Sequence, residues 1–138
     1  MIIMYIETKL FNMTKIAYQN AYAPYSNFKV GASILLQNKE ILIGSNIENS
    51  SYGLTMCAER NVIFNAYSKG FRKNDIVKIV IISDNDYTIP CGACLQVMSE
   101  LLLESTEIIL LAKHKELVHK KYTIKQFLPY GFKIQTSK

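Results

Sequence analysis

The sequence predicts an α/β fold: a three-layer α/β/α sandwich around a mixed, mainly five-stranded sheet with helices on both faces. Two observations predict it. First, segments with helical spacing of apolar residues alternate with short strand-like segments along the 138 residues, a pattern typical of sheets covered by helices. Second, the continuous apolar segment at 76–82 is typical of a central buried strand. Because no repeat or linker is evident, residues 1–138 are expected to form one domain.

The individual elements follow from periodicity and from their end signals. Leu10, Met13 and Ile16 recur at helical spacing, which predicts a first helix over about 8–21 that ends before Pro24. The other predicted helices lie at about 57–68, 91–103 and 124–128, and the predicted strands at about 28–36, 40–45, 76–82, 107–112 and 116–122.

Two small residues, Gly31 and Ala32, lie inside the first predicted strand. Small residues at such a position indicate the close approach of a ligand or of another backbone, such as that of a packed helix. Spacing alone favours neither interpretation.

Charge and composition bear on partners and location. The chain has 16 Lys and Arg against 11 Asp and Glu, a net charge of +5, with the excess concentrated at 113–125. That segment also contains Glu116 and lacks a glycine–arginine pattern, so a solvated lysine-rich face is expected rather than a nucleic-acid partner. The longest apolar runs are too short to span a bilayer, which argues against a membrane partner. An odd number of cysteines favours a reducing compartment, so a cytoplasmic location is expected.

The three cysteines of the chain lie at the predicted starts of two helices, in Cys-Ala-Glu-Arg at 57–60 and Pro-Cys-Gly-Ala-Cys at 90–94. Residues i and i+3 share a helix face, so Cys91 and Cys94 can bind one ion. Cys57 joins them if the two helices lie side by side. Three thiolates can hold one zinc ion per chain with its fourth position open, which is the arrangement of a catalytic site.

Glu59 and Arg60 follow the first predicted ligand directly. Glu59 is close enough to Cys57 to move the proton of a metal-activated water without binding the metal, which predicts a general acid–base role. Arg60 can donate hydrogen bonds to a ligand sulfur and offset the charge of three thiolates. The alternatives are a surface carboxylate favoured by the helix N-terminus and an ordinary exposed arginine.

Other interpretations of the cysteines stay open at this point. The C-x-x-C pair alone is compatible with a redox function, but that leaves Cys57 and Glu59 unexplained. A closed structural zinc site needs a fourth protein ligand. The histidines available for it are His114 and His119, about twenty residues downstream in the lysine-rich segment.

Taken together, these motifs resemble the small, single-domain, zinc-dependent cytidine deaminases. The resemblance covers about four-fifths of the chain and rests on segments in the family's order, at 23–28 (APYSNF), 30–32 (VGA), 46–49 (NIEN), 57–60 (CAER), 90–96 (PCGACLQ) and 127–129 (FLP). It implies a zinc site of three cysteines with a non-ligating glutamate. It also implies zinc-dependent hydrolysis of cytidine and deoxycytidine to uridine and deoxyuridine, with release of ammonia, in pyrimidine salvage.

The resemblance also implies roles in binding a nucleoside substrate. Phe28 is expected to pack against the pyrimidine ring, Asn46 and Glu48 to bond the ribose hydroxyls, and the backbone at Ala58 to meet the base. The Asn-x-Glu spacing agrees with this, because residues two apart at a strand end share a face. Without the family context, Phe28 would be interpreted as a core residue and Asn46 as a turn residue.

Family members are typically homotetramers, and an aromatic residue near the C-terminus enters a neighbouring site. Phe132 is the candidate in this chain. One departure is Leu95, which stands where the family usually has arginine after the second zinc cysteine. The alternative functions are deamination of another aminated heterocycle, such as a nucleoside antibiotic, and a non-catalytic zinc-stabilised binding module.

Overall fold

The computed structural model describes residues 1–136, which contain a mixed five-stranded sheet. Its strands are β1 (Val30–Leu36), β2 (Ile41–Ser45), β3 (Ile76–Ser83), β4 (Glu107–Leu111) and β5 (His119–Tyr122). The order across the sheet is β2-β1-β3-β4-β5. The β3–β4 pair is parallel, and the other neighbouring pairs are antiparallel. The predicted α/β class and the mixed sheet are therefore confirmed.

Helices cover both faces of this sheet, as predicted. The α-helices of the described residues are α1 (Ile2–Gln19), α2 (Ala58–Ser68), α3 (Gly92–Leu101) and the single turn α4 (Ile124–Phe127). On one face, α1 packs against side chains of β1, β3 and β4. On the other face, α2, α3 and α4 enclose a larger apolar cluster with alternate residues of the same strands. None of these helices is long and apolar enough to cross a bilayer, within residues 1–136.

Gly31 lies where α1 crosses β1. A Cβ atom there would lie 2.2 Å from the backbone nitrogen of Tyr18 and 2.6 Å from the carbonyl oxygen of Thr14. Beside this crossing, the buried hydroxyls of Thr14 and Ser33 share a hydrogen bond of 2.6 Å between helix and strand. The close approach of a helix, one of the two interpretations of the small residues, therefore accounts for Gly31.

The ends of several elements differ from the predicted ones. Helix α1 begins at Ile2 rather than near residue 8. Periodicity did not predict this early start, because the first turn is apolar on every side and shows no helical alternation. The side chains of residues 1–5 are all at least 70% exposed. Strand β5 begins at His119 rather than near residue 116, since Leu117 has a positive φ of 62° that is incompatible with a regular strand.

Candidate active site

The three cysteine sulfurs converge at the adjacent N-termini of α2 and α3. Cys57 is the N-cap residue of α2, Cys91 is the N-cap residue of α3, and Cys94 lies in the first turn of α3. The Sγ atoms of Cys57 and Cys91 are 3.9 Å apart, and all three sulfurs lie within 4.8 Å of one another. The cysteines are thus brought together as the sequence predicts.

Packing of α2 and α3 on the same face of the sheet produces this convergence. Apolar residues of both helices belong to one buried cluster with β1, β3 and β4. Helix α2 approaches β2 closely at Gly44, where a Cβ atom would lie 2.7 Å from the backbone nitrogen of Val62. Neither N-cap cysteine sulfur accepts a capping hydrogen bond from the backbone of its helix, so both sulfurs are available to a metal.

The three thiols fit a zinc ion. Tetrahedral thiolate ligands about 2.3 Å from zinc lie about 3.8 Å from each other, which is close to the separation of the Cys57 and Cys91 sulfurs. Within the described residues, no histidine or carboxylate joins the group. His119 instead lies against the ring of Phe11 and 3.6 Å from a carboxylate oxygen of Glu7, on the α1 face. A site with one open position therefore fits better than a closed structural site.

The local charges favour the ionised form of the Cys57 thiol. A hydrogen bond with Cys94, together with the Arg60 guanidinium, lowers the pKa of Cys57 to about 5 against the opposing effect of burial. The same bond with Cys57 raises the pKa of Cys94, and burial raises it further. One Nη atom of Arg60 donates to the Cys57 sulfur at 3.3 Å, and this bond raises the pKa of the guanidinium. Arg60 is thus a sulfur-bonding residue and not an ordinary exposed one.

Glu59 lies in the first turn of α2 and is 5% exposed. Burial raises the pKa of its carboxyl group to about 7, and the negative charge of Cys57 contributes to the rise. A carboxyl group with such a pKa can both accept and donate a proton near neutral pH. Its burial beside the sulfurs argues against the alternative of a surface carboxylate.

A second set of contacts fixes the backbone of Phe28, which is partly buried. Asn46 is 8% exposed; its Nδ2 donates to the carbonyl of Phe28 at 2.8 Å, and its Oδ1 accepts from the amide of Val30 at 2.9 Å. Asp84, which follows β3, accepts a hydrogen bond from the amide of Lys29, the residue after Phe28, at 2.8 Å. The Asn46 amide is therefore committed to the backbone, with one N–H left for a ligand.

Glu48 accepts hydrogen bonds from the turn that precedes Phe28. Its Oε1 accepts from the amides of Tyr25 at 2.9 Å and of Ser26 at 3.1 Å, and its Oε2 accepts from the Ser26 hydroxyl. These bonds, chiefly the one from the hydroxyl, lower the pKa of Glu48. The two sets, Asn46 with Phe28 and Glu48 with Ser26, meet at the same short segment.

The remaining predicted residues lie at different depths. Ala58, the first residue of α2, is fully buried. Phe132 is 67% exposed, and its carbonyl oxygen accepts from Nε2 of Gln96 in α3 at 3.2 Å. Leu95 is 8% exposed and packs in the apolar cluster under α2 and α3. Leu95 thus makes an apolar contact at the position where the resemblance implies an arginine.

Sequence reasoning did not single out Ser26 or Asp84 as functional. Ser26 lies in the segment 23–28 on which the resemblance rests, and its one signal was its place two residues before the candidate ring-packing residue Phe28. Asp84 follows β3 directly and bonds the hydroxyl of Tyr18 in α1 as well as the Lys29 amide. Its reach to two other elements depends on tertiary structure and leaves no local signal.

The fold and the site define an α/β protein with three clustered cysteines that could hold a metal ion and an adjoining buried carboxyl group. A family model described as "Cytidine and deoxycytidylate deaminase zinc-binding region" matches residues 4–111. The chain therefore belongs to the cytidine and deoxycytidylate deaminase family.

Individual relatives agree with this assignment. The cytidine deaminase of Halalkalibacterium halodurans is 44% identical over 117 residues, which cover 84% of this chain and 86% of the relative. The cytidine deaminase of Sporosarcina psychrophila is 38% identical over 124 residues, covering 90% and 89%. A crystal structure of the Burkholderia pseudomallei cytidine deaminase is 37% identical and superimposes with a TM-score of 0.82, covering 90% of this chain and 97% of that one.

Proposed function

We propose that this chain hydrolyses cytidine and deoxycytidine to uridine and deoxyuridine with release of ammonia, using one zinc ion held by Cys57, Cys91 and Cys94. The observation that carries the proposal is the burial of Glu59 beside three converging sulfurs. The three relatives described above are named cytidine deaminases, which supports the substrate. Their matches span most of this chain, so the whole catalytic domain is comparable.

Glu59 carries the proton transfers. When bound, zinc would supply a Lewis acid that makes water nucleophilic near neutral pH. Glu59 accepts a proton from the attacking water and delivers it to N3 of the pyrimidine, which makes C4 more electrophilic. After water has added at C4, Glu59 takes the remaining proton from the new C4 hydroxyl group and hands it to the departing amino group, so that ammonia leaves and the C4 carbonyl forms. The low exposure of the carboxyl group keeps these transfers away from bulk water.

Arg60 and the two helix N-termini offset negative charge at the sulfurs. Three thiolates and one divalent ion carry a net charge of −1, which weakens the pull of the metal on water. A hydrogen bond from Arg60 to Cys57 withdraws charge from that ligand. The partial positive charges at the starts of α2 and α3 act in the same direction.

Substrate positioning falls to residues around the Phe28 segment. Phe28 packs against the pyrimidine ring, and the backbone at Ala58 meets the base edge. The sugar hydroxyls meet the remaining N–H of Asn46 and the carboxylate of Glu48. Support comes from the contacts that hold the Phe28 backbone and Glu48 in fixed positions.

The protein is further proposed to be a cytoplasmic homotetramer without a nucleic-acid or membrane partner. The exposed ring of Phe132 supports an assembly in which that ring enters a neighbouring site. Three free cysteines support a reducing compartment. Light scattering of the active protein tests the assembly, and an active monomer would contradict it.

A spectrophotometric assay of the purified zinc-loaded protein tests the activity. We expect deamination of cytidine and deoxycytidine, and much weaker deamination of free cytosine, which lacks the sugar. If the protein deaminates only another aminated heterocycle, the proposed substrate is wrong and the proposed reaction chemistry stands. Absence of ammonia release from every nucleoside, with zinc bound, would indicate a binding module instead.

A further inference from the structure

The carboxylate of Glu48 is almost saturated by donors from one turn. The amides of Tyr25 and Ser26 donate to Oε1, and the hydroxyl of Ser26 donates to Oε2. Each carboxylate oxygen has two acceptor positions. Oε1 is therefore fully used, and one acceptor position remains on Oε2, beside the Ser26 hydroxyl.

Ser26 connects this carboxylate to the backbone of Phe28. While its hydroxyl donates to Glu48, its oxygen accepts from the Phe28 amide at 3.0 Å. A serine hydroxyl has one donor and two acceptor positions, so the bond to Glu48 uses its only proton. The hydroxyl orientation is thereby fixed, and the carboxylate and the aromatic residue hold constant relative positions.

The turn itself is held by its own backbone. The amide of Asn27 donates to the carbonyl of Ala23 at 3.0 Å, and Asn27 has a positive φ of 58°. Asparagine tolerates this left-handed conformation better than most residues. The backbone of the turn therefore presents Ser26 to Glu48.

Beside these groups is an open groove of about 410 Å³, lined by Tyr25, Ser26, Glu48, Tyr52 and Thr55. Binding clefts for small molecules typically have about 300–1,000 Å³. The groove thus has room for a sugar next to the one free acceptor position of Glu48.

We propose that Ser26 is a positioning residue for sugar recognition: it leaves Glu48 one acceptor for a single hydroxyl group and fixes that acceptor relative to Phe28. The inference rests on the proposed function, because it takes the ligand to be a nucleoside. Ser26 does not itself need to touch the substrate. Ser26 influences substrate binding by fixing the direction of the free acceptor position on the Glu48 carboxylate.

The test compares substrates that differ by one hydroxyl group. For wild type and Ser26→Ala, kcat and KM are measured with cytidine, 2′-deoxycytidine and 3′-deoxycytidine. Ser26→Thr retains the hydroxyl group, and its added methyl group falls at an exposed position. Ser68→Ala is the matched control, since Ser68 is an exposed serine at the end of α2. Thermal melts of all variants show that they fold.

In Ser26→Ala, we expect kcat/KM for cytidine to fall about tenfold, the scale of one hydrogen bond to a charged group. The fall should appear mainly in KM, because Glu59 is untouched. With the analogue that lacks the recognised hydroxyl group, kcat/KM should change by less than about threefold, since that bond is already absent. Ser26→Thr should restore the wild-type preference for cytidine over that analogue, and Ser68→Ala should retain it.

An equal loss of kcat/KM on all three substrates in Ser26→Ala would mean that Ser26 has only a structural role, and it would overturn the inference. So would a wild-type enzyme that deaminates both deoxy analogues as efficiently as cytidine, because Glu48 would then read no hydroxyl group. A wild-type protein that deaminates none of the three would instead refute the proposed function. The two failures are therefore distinguishable.

Discussion

Replacing Gly31 by alanine would push α1 away from the sheet. The new Cβ atom would lie 2.2 Å from the nitrogen of Tyr18, whereas ordinary van der Waals contact begins near 3.4 Å. The helix backbone must therefore withdraw by about 1.2 Å at this point. Because the obstructing atoms belong to a helix backbone, no side-chain rotation can relieve the contact.

The cost follows from what this movement disrupts. Overpacking of a buried position costs about 1–3 kcal/mol, and a contact with backbone belongs at the upper end. The shift also stretches the buried 2.6 Å hydrogen bond between Thr14 and Ser33, worth about 1 kcal/mol. We expect Gly31→Ala to lower the free energy of unfolding by about 3–4 kcal/mol and Tm by roughly 10–15 °C.

Thermal unfolding followed by circular dichroism measures this effect at equal zinc loading. Gly53→Ala is the control, because nothing lies within 4 Å of its added Cβ atom and a change within about 0.5 kcal/mol is expected. If Gly31→Ala melts within about 3 °C of wild type, the close packing of α1 on β1 would be refuted.

Two further predictions concern the metal and acid stability. Elemental analysis should find one zinc per chain. Cys94→Ala should lose both zinc and activity, because each cysteine supplies a third of the protein ligands. Full zinc retention in this variant would contradict the proposed ligand set. Although burial opposes the effect, hydrogen bonds from Tyr18 and the Lys29 amide and the charge of Lys113 lower the pKa of Asp84. Its contribution to stability is therefore present above pH 3.8, the ordinary pKa, and is lost as pH falls through the lower folded value. In melts across pH, the stability advantage of wild type over Asp84→Asn should shrink below pH 3.8; a constant difference would refute the ionised role of Asp84.

The tri-cysteine cluster was the most predictable part of the molecule. Cys57 starts one helix, and Cys91 and Cys94 start another, so local spacing and helix-start signals already place the sulfurs on comparable faces. Residue types also limit the chemistry, since three thiols and one nearby carboxyl group suit few reactions. Placing the sulfurs within 4.8 Å additionally required the two helices to lie side by side, which spacing alone does not fix.

The surroundings of Asn46 and Glu48 were less predictable. The spacing of Asn46 and Glu48 predicts a shared face, but it does not reveal that Asn46 bonds the backbone of a strand sixteen residues earlier. Nor does it reveal that a turn supplies three donors to Glu48. Such bonds depend on how distant segments meet. The early start of α1 was missed for a different reason, because its exposed apolar turn lacks the periodicity that marks a helix.

The most direct test of the account is the turnover number of Glu59→Gln measured together with its zinc content. Glutamine retains the size of the side chain and a carbonyl oxygen, but it cannot take a proton from water or give one to N3. The three sulfurs are unchanged, so zinc should remain at one ion per chain. We predict that kcat falls by at least about 10²–10⁴-fold, as for loss of one general acid–base group. Near wild-type turnover with full zinc would contradict the assignment of Glu59 as the proton-transfer group.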